Sequence, residues 1–470
     1  MQKLTANDPE TKSPDLAAAN LAALRALFPE LVTEGPDGVA VNLDVLKQLV
    51  GDQTVTDAEE KYGLNWHGKR RARQLALTPS TGTLRPCPED SVDWDTTQNL
   101  MIEGDNLEVL KLLQKSYAGK VKLIYIDPPY NTGKDFVYPD NFQDNIKNYL
   151  ELTGQTGEGG KKLSSNTEAS GRFHTDWLNM MYPRLKLARD LMRDDGLIFV
   201  SINDNEIDNL RKVCAEIFGE ENFVEQFTVR SNPRGNQAKK LVASEHDYIV
   251  CYGKHQDLLA PLGFPKNEDD FGKLDEFGQQ YREIGLRKRG AGARRQDAPN
   301  QYFPIYFDEV TGEISTLPLA KAHEILPKLG DGTDGRWRWA KATVERDKHK
   351  LIIRKVRRDG GHEYDIFEKD LFSDGKLSKI KSIFNEKDFN FENATEELTT
   401  LFKAKVFDYP KPVYTIRRLV ECINDRNAII LDFFVGSGTT GHATVAQNAS
   451  DGGNRRYVVV QLPEPLDPEN

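Results

Sequence analysis

Residues Asp127, Pro128, Pro129 and Tyr130 bring a carboxylate, two proline carbonyls and an aromatic ring into one short turn. Each proline removes a backbone N–H donor and stiffens the turn, so that its carbonyls remain available as acceptors. Two acceptors suit the two hydrogens of an exocyclic amino group, and the ring suits stacking on a planar base. The residues therefore predict a site for an amino group on a base, with a simple turn capped by Asp127 as the alternative.

A second candidate motif runs from Gly436 to Gly441 and reads Gly-Ser-Gly-Thr-Thr-Gly. Its glycines would let the backbone approach a ligand closely, and the helix predicted to follow would offer unpaired N–H groups. The spacing also fits Gly-x-Gly-x-x-Gly, so an NAD-dependent oxidoreductase is an alternative. The next predicted strand ends in Gln461, where that fold has an acidic residue, and the nearest acid is Glu464. This departure favours a different nucleotide cofactor.

Both motifs follow apolar runs, residues 121–126 and 428–435, whose β-branched content predicts buried strands. Ligands of open α/β sheets bind at the carboxyl ends of the strands. We therefore expect the two motifs to lie together at one edge of a sheet. Further strands at 197–202 and 246–252, with a helix near 175–193, extend the α/β pattern.

The quartet at 127–130 resembles the catalytic motif of amino-group DNA methyltransferases, which modify adenine N6 or cytosine N4; the version that begins with Asp is more typical of the adenine enzymes. The stretch from Phe433 to Thr440 resembles their S-adenosylmethionine (AdoMet) motif. Catalytic motif first and AdoMet motif last is the permuted order of the β group. Residues 100–108 and 407–412 are similar to two further cofactor segments of that group, although a helix N-cap and a proline turn are the simpler readings.

Residues 60–69, 244–250 and 335–339 are similar to the modification subunits of type III restriction–modification systems. This resemblance implies an α/β fold with a doubly wound AdoMet-dependent methyltransferase sheet in permuted order, an inserted target-recognition domain and a helical N-terminal region. The implied domains are an N-terminal region and connector, the first part of the core, the recognition domain and the second part of the core, at residues 1–95, 96–255, 256–400 and 401–470.

The resemblance also implies how the site would work. A base flipped out of duplex DNA would stack on Tyr130, while the Asp127 carboxylate and the Pro128 carbonyl accept its amino hydrogens. Catalysis is thus assigned to Asp127, Pro128, Pro129 and Tyr130, and no metal is expected. The cofactor-binding residues implied are Asp105 near the adenine, Lys411 near the carboxylate, Asp432 orienting the glycine turn, and Phe434, Gly436, Ser437, Gly438, Thr439 and Gln461.

The formal net charge is −10, yet residues 282–295 carry a net charge of +5 and residues 336–358 one of +8. Local basic stripes, more than net charge, provide phosphate contacts, so both runs are candidates for DNA binding. Trp337 and Trp339 add aromatic rings that could stack on bases. An ordinary solvated basic surface is the alternative. The candidate DNA contacts are Arg287, Lys288, Arg289, Arg294, Arg295, Arg336 and Arg338.

The four cysteines are far apart, which predicts neither a disulfide framework nor a metal site. No apolar run suits a signal peptide or a membrane span, so we expect a cytoplasmic protein. The resemblance implies double-stranded DNA, a second copy of the chain and a separate restriction (helicase–nuclease) subunit as partners. The polar stretch 154–171 is long for a loop, which predicts a functional or mobile segment.

The sequence stops at Asn470, soon after a predicted strand and without the helix that a doubly wound sheet would place next. A truncated subunit that recognises DNA without catalysis is therefore one alternative function. A cytosine-N4 methyltransferase is the other alternative within the same family.

Overall fold

A computed structural model describes residues 13–35, 38–50, 64–132, 173–235, 241–358, 361–373 and 376–463. The chain forms two compact units. The sheet unit comprises Met1–Gly263 and Lys379–Asn470, and the inserted unit comprises Phe264–Ser378. The polar stretch 154–171 and Glu464, both singled out from the sequence, lie outside the described residues.

The N-terminal region contains helices and a short hairpin: α1 Leu16–Leu27, β1 Val32–Gly35, β2 Gly38–Val41, α2 Leu43–Leu49 and α3 Lys69–Leu77. Strands β1 and β2 pair in antiparallel orientation. The prediction of a helical region was therefore wrong for residues 32–41. Valines and a threonine favour extended backbone there, and Gly35 and Gly38 flank the turn.

The first part of the sheet unit's core alternates strands and helices. Its elements are β3 Leu100–Glu103, α4 Asn106–Tyr117, β4 Val121–Ile126, α5 Phe173–Leu191, β5 Met192–Ile202, α6 Ile207–Phe218, β6 Phe223–Val229 and β7 Asp247–Gly253.

The middle of the chain consists mostly of short strands. They are β8 Gly263–Pro265, β9 Lys273–Leu274, β10 Gln280–Gly285, β11 Ile305–Phe307, β12 Ile314–Ser315, β13 His323–Ile325, β14 Leu351–Arg358, β15 Gly361–Leu371 and β16 Leu377–Lys379, with helix α7 at Lys341–Asp347. Within the inserted unit, strands order as β14-β15-β10-β9 and β12-β11-β13, around a small buried cluster that includes Trp337 and Ile366.

The chain then returns to the sheet unit. The returning elements are β17 Ile383–Phe384, α8 Phe391–Phe402, α9 Val413–Cys422, β18 Ile429–Asp432, α10 Thr439–Asp451 and β19 Arg456–Gln461. The eight-stranded sheet has the order β17-β6-β7-β5-β4-β18-β19-β3. Strand β7 runs antiparallel to both its neighbours, and the other pairs are parallel.

Helices cover both faces of this sheet. Every residue of β4 is buried, and Ile124 and Ile126 belong to a cluster with apolar residues of α3, α4, α5 and α6. Leu123 and Tyr125 alternate with them and are equally buried on the opposite face. Helices α9 and α10 bury apolar residues outside that cluster. The predicted α/β doubly wound sheet is therefore confirmed.

No helix among the described residues is long and apolar enough to cross a membrane.

Candidate active site

The carboxyl ends of four adjacent parallel strands, β4, β18, β19 and β3, form one edge of the sheet. Asp127 directly follows β4, Asp432 ends β18, Gln461 ends β19 and Asp105 follows β3. Three strand spacings of about 4.8 Å separate the outer two strands, roughly 14 Å. The two sequence motifs thus lie side by side, as the strand pattern predicted.

The Asp127 side chain is half engaged and half unpaired. Its Oδ2 accepts a hydrogen bond from Lys411 Nζ at 2.6 Å, and 23% of the side chain is exposed. Its Oδ1 and the hydroxyl of Tyr130 are buried, and neither has a hydrogen-bond partner among the described residues. A buried acceptor without a donor is costly unless a ligand supplies one. The geometry therefore leaves one carboxylate oxygen for a donor that enters the site.

The two prolines differ in what their carbonyls contact. The indole Nε1 of the fully buried Trp177 donates a hydrogen bond of 2.8 Å to the Pro129 carbonyl. No hydrogen bond from a described residue reaches the Pro128 carbonyl. Pro128 is thus the proline whose oxygen stays available beside Asp127.

Asn131 holds the end of the catalytic turn in a left-handed conformation, with a φ of 57°. Its amide donates to Glu206 Oε1 at 2.5 Å and to the Phe173 carbonyl at 3.1 Å. Glu206 is completely buried after β5 and also accepts from Asn209 and contacts His174. This network fixes the direction in which the chain leaves Tyr130.

The glycine turn needs glycine at its first position. Gly436 has a φ of 54°, and a Cβ there would lie 3.2 Å from the Phe407 ring. The Gly436 N–H donates to Gln461 Oε1 at 2.9 Å. Gly438 has a φ of 83° and directly precedes α10. The helix N-terminus therefore opens onto the same strand edge as Asp127.

Asp432 ties the end of β18 to the start of α10. One oxygen accepts the Phe434 N–H at 2.9 Å, and the other accepts the Thr440 hydroxyl. Burial raises the pKa of Asp432 to about 7, because it outweighs both hydrogen bonds, and the charge of Asp127 adds to the rise. The hydroxyls of Ser437 and Thr439 lie 2.9 Å apart beside this turn.

Asp105 caps helix α4, since its Oδ1 accepts the N–H groups of Leu107 and Glu108. Its Oδ2 lies 3.6 Å from a nitrogen of Arg184, which is completely buried. The simpler reading as an N-cap therefore holds, and a cofactor role remains compatible with it because the cap lies at the same strand edge.

Sequence reasoning missed the side chains that support the site. Arg184 Nε donates to Asn106 Oδ1 at 2.6 Å, and Asn106 Nδ2 donates to the Phe433 carbonyl at 2.7 Å. This chain of bonds joins α5 and α4 to the glycine turn. Asp247, at the start of β7, has a pKa raised by burial, and the charge of Lys411 opposes that rise. A buried charged or indole group in an apolar helix was the available signal.

Several basic side chains of the inserted unit are used inside the unit itself. Arg287 pairs with Asp365 and is 14% exposed. Arg338 pairs with Glu368 at 3.3 Å. The predicted DNA contacts in this group that bond within the unit are Arg287, Arg295, Arg336 and Arg338.

Other predicted cations remain at the surface. Arg289 and Arg294 are exposed and Lys288 is half-buried, and none forms an ion pair with a described residue. A pocket of about 460 Å³ is lined by Arg294, Arg295, Gln296, Pro299, Thr333 and Asp334.

The expectation that Trp337 stacks on bases was wrong. The side chain is completely buried in the core of the inserted unit, and its Nε1 donates to the Phe303 carbonyl at 2.8 Å. Trp339 packs against the same core.

Comparison with known sequences supports these assignments. A family model described as DNA methylase matches residues 121–450. The EcoPI Mod subunit of a type III restriction–modification enzyme, from Escherichia phage P1, is 35% identical over 97% of this chain and 72% of its own length. The type II methyltransferase M.KpnI of Klebsiella pneumoniae is 34% identical over 79% of this chain and 82% of its own. The EcoP15I Mod subunit of Escherichia coli is 32% identical over 97% and 73%.

Solved structures resemble the chain more distantly. TTHA0409, a DNA modification methylase of Thermus thermophilus, covers 78% of this chain and 90% of its own at 13% identity, with a TM-score of 0.34. The cytosine-N4-specific PvuII DNA methyltransferase covers 78% and 83% at 12% identity, with a TM-score of 0.35.

Proposed function

Since the chain belongs to the DNA methylase family, we propose that it is an AdoMet-dependent, site-specific DNA methyltransferase that modifies adenine N6 as the modification subunit of a type III restriction–modification system. One observation carries the choice of an amino-group substrate. The unpaired Asp127 Oδ1, the open Pro128 carbonyl and the Tyr130 ring occupy one corner next to the glycine turn.

The residues present fit AdoMet by their chemistry. The turn from Gly436 to Gly438 exposes backbone N–H groups, the ammonium of Lys411 matches a carboxylate, and the capped strand end at Asp105 borders the adenine side. Gln461 uses its carbonyl oxygen to hold Gly436, so its amide N–H₂ is the group it can turn toward a ligand. AdoMet would supply an electrophilic methyl group at this edge.

The chain's own groups then act on the base. Tyr130 stacks against the flipped ring, while Asp127 Oδ1 and the Pro128 carbonyl accept the two hydrogens of the exocyclic amine. These bonds favour a tetrahedral nitrogen whose lone pair faces the cofactor side. Positive charge develops on that nitrogen during transfer, and the Asp127 carboxylate stabilises it in a site of low dielectric. Trp177 and Glu206 keep the corner rigid, so little reorganisation is needed.

The partners follow from the relatives. The EcoPI and EcoP15I proteins are Mod subunits of type III restriction–modification enzymes. By analogy, double-stranded DNA is the substrate, a restriction subunit is the second protein, and two copies of this chain form the modification enzyme. The inserted unit is the candidate for target recognition, with Lys288, Arg289 and Arg294 as its available cations.

A transfer assay tests this function. Purified protein is incubated with methyl-labelled AdoMet and double-stranded DNA of varied sequence, and the DNA is digested to nucleosides. Label in N6-methyladenine is the expected result. Label in N4-methylcytosine would change the base while keeping the reaction. DNA binding without any label would favour a non-catalytic recognition subunit.

A further inference from the structure

Lys411 lies where the two motifs meet. Its ammonium is 2.6 Å from Asp127 Oδ2, and only 11% of its side chain is exposed. The rings of Tyr130 and Phe391 each lie 4.8 Å from the ammonium. The Lys411 carbonyl accepts the Thr439 hydroxyl at 3.3 Å, which joins the residue to the glycine turn. Lys411 therefore contacts the base corner through its side chain and the cofactor turn through its backbone.

The ion pair limits what Asp127 can do. An ammonium this far from water needs an anion, because an unpaired charge in such surroundings is costly. The same pairing neutralises the carboxylate that must stabilise positive charge on the target nitrogen. AdoMet carries a carboxylate of its own, which can take over the ammonium. Asp127 and the cofactor are thus competitors for one cation.

We propose that Lys411 couples cofactor binding to base binding, by pairing with Asp127 in the free protein and with the AdoMet carboxylate in the complex. This coupling rests on the proposed function. Cofactor binding withdraws the ammonium from Asp127 and gives the carboxylate its full charge as the base arrives. The site then prepares itself for the amino group only when the methyl donor is present.

The competition has a measurable sign. In Asp127→Asn the ammonium loses its protein anion, so a ligand carboxylate gains more by binding it. S-adenosylhomocysteine is the suitable probe, because it keeps the carboxylate but lacks the sulfonium charge that Asp127 would attract. We expect Asp127→Asn to bind it about five- to tenfold more tightly than wild type in titration calorimetry, the range of a contact pair's interaction energy.

Two comparisons isolate the role of Lys411. In a Lys411→Met background, adding Asp127→Asn should change the affinity less than about twofold, since no shared cation remains. Methylthioadenosine, which lacks the amino-acid part, should bind wild type and Asp127→Asn equally. Lys405→Met is the matched control: that lysine is 60% exposed, pairs with Asp408 and should leave the Asp127→Asn effect intact.

The outcomes separate the coupling from the function beneath it. Wild type that binds S-adenosylhomocysteine, with an Asp127→Asn variant that binds it equally or less tightly, overturns the coupling while the transfer assay still upholds the methyltransferase. No binding by wild type overturns both. Should Lys411→Met fail to fold by circular dichroism, the Asp127→Asn result with the two probes decides alone.

Discussion

Carboxyl groups in the two units have opposite surroundings. In the sheet unit, burial raises the pKa of both Asp432 and Asp247. In the inserted unit, hydrogen bonds from Lys328 and Tyr302 lower the pKa of Asp334, and for Asp370 the bonds from Lys376 and Arg282 overcome the effect of burial. The first unit keeps acids away from cations at a strand edge, and the second matches each acid with a cation.

The difference separates charges that build a site from charges that hold a fold. The inserted unit has a small buried cluster, and its ion pairs link strands that little apolar surface joins. Its basic runs are therefore a poor guide to DNA contacts, because much of the positive charge is already paired. At the sheet edge, unused oxygens next to one shared lysine indicate a ligand site.

The largest expected effect comes from removing the half-paired carboxylate. Asp127→Ala should lower the methyl-transfer rate by at least about 10²- to 10³-fold, or about 3–4 kcal/mol in the barrier, because a pre-aimed charge is lost. DNA binding in a gel-shift assay should stay near wild type. Asp204→Ala, an exposed carboxylate after β5, is the control. Transfer within a few fold of wild type by Asp127→Ala would contradict the assignment.

Breaking a structural pair should instead lower stability. Arg287→Met leaves Asp365 without its cation in a nearly buried position and should cost about 3 kcal/mol of unfolding free energy in the inserted unit. Urea denaturation measures this. Arg289→Met, which removes an exposed and unpaired cation, should change stability by less than about 0.5 kcal/mol. Equal costs for both would erase the distinction between paired and available cations.

The pH dependence of stability tests the buried acid at the sheet edge. The folded pKa of Asp432, about 7, lies above its unfolded value, so the native state keeps a proton that the unfolded chain releases. The stability that this group contributes is present at low pH and is lost as the pH rises toward 7.

Wild type should accordingly lose stability relative to Asp432→Asn by up to about 1.4 kcal/mol per pH unit between pH 5 and 7, and no more above pH 7. Chemical denaturation at pH 5, 6, 7 and 8 gives the difference. Asp90→Asn, at an exposed position, is the control. A difference that does not vary with pH would show that Asp432 is charged throughout.

The smallest effect concerns one exposed cation. Arg294→Ala should weaken DNA binding for all sequences alike and reduce the slope of log K against log salt by about 1, with stability unchanged. Binding measured at several salt concentrations provides the slope. An unchanged slope would place the phosphate contacts elsewhere in the chain.

The strand ends and their two motifs were predictable, since β-branched runs, prolines and glycines act on their own neighbourhood. The supporting side chains were not, because their partners are distant in sequence. Trp177 reaches Pro129 across 48 residues, and Arg184 reaches Asn106 across 78. Arg287 was counted among the available cations for the same reason: its partner Asp365 lies 78 residues away.

The central claim is that the turn at Asp127 and the turn at Gly436 line one pocket for methyl donor and base. A crystal structure with bound S-adenosylhomocysteine tests it most directly. We predict that the ligand lies along the strand edge from Asp105 to Lys411, with its sulfur facing Asp127. A ligand bound on another surface, with the Gly436 turn unoccupied, would contradict the account.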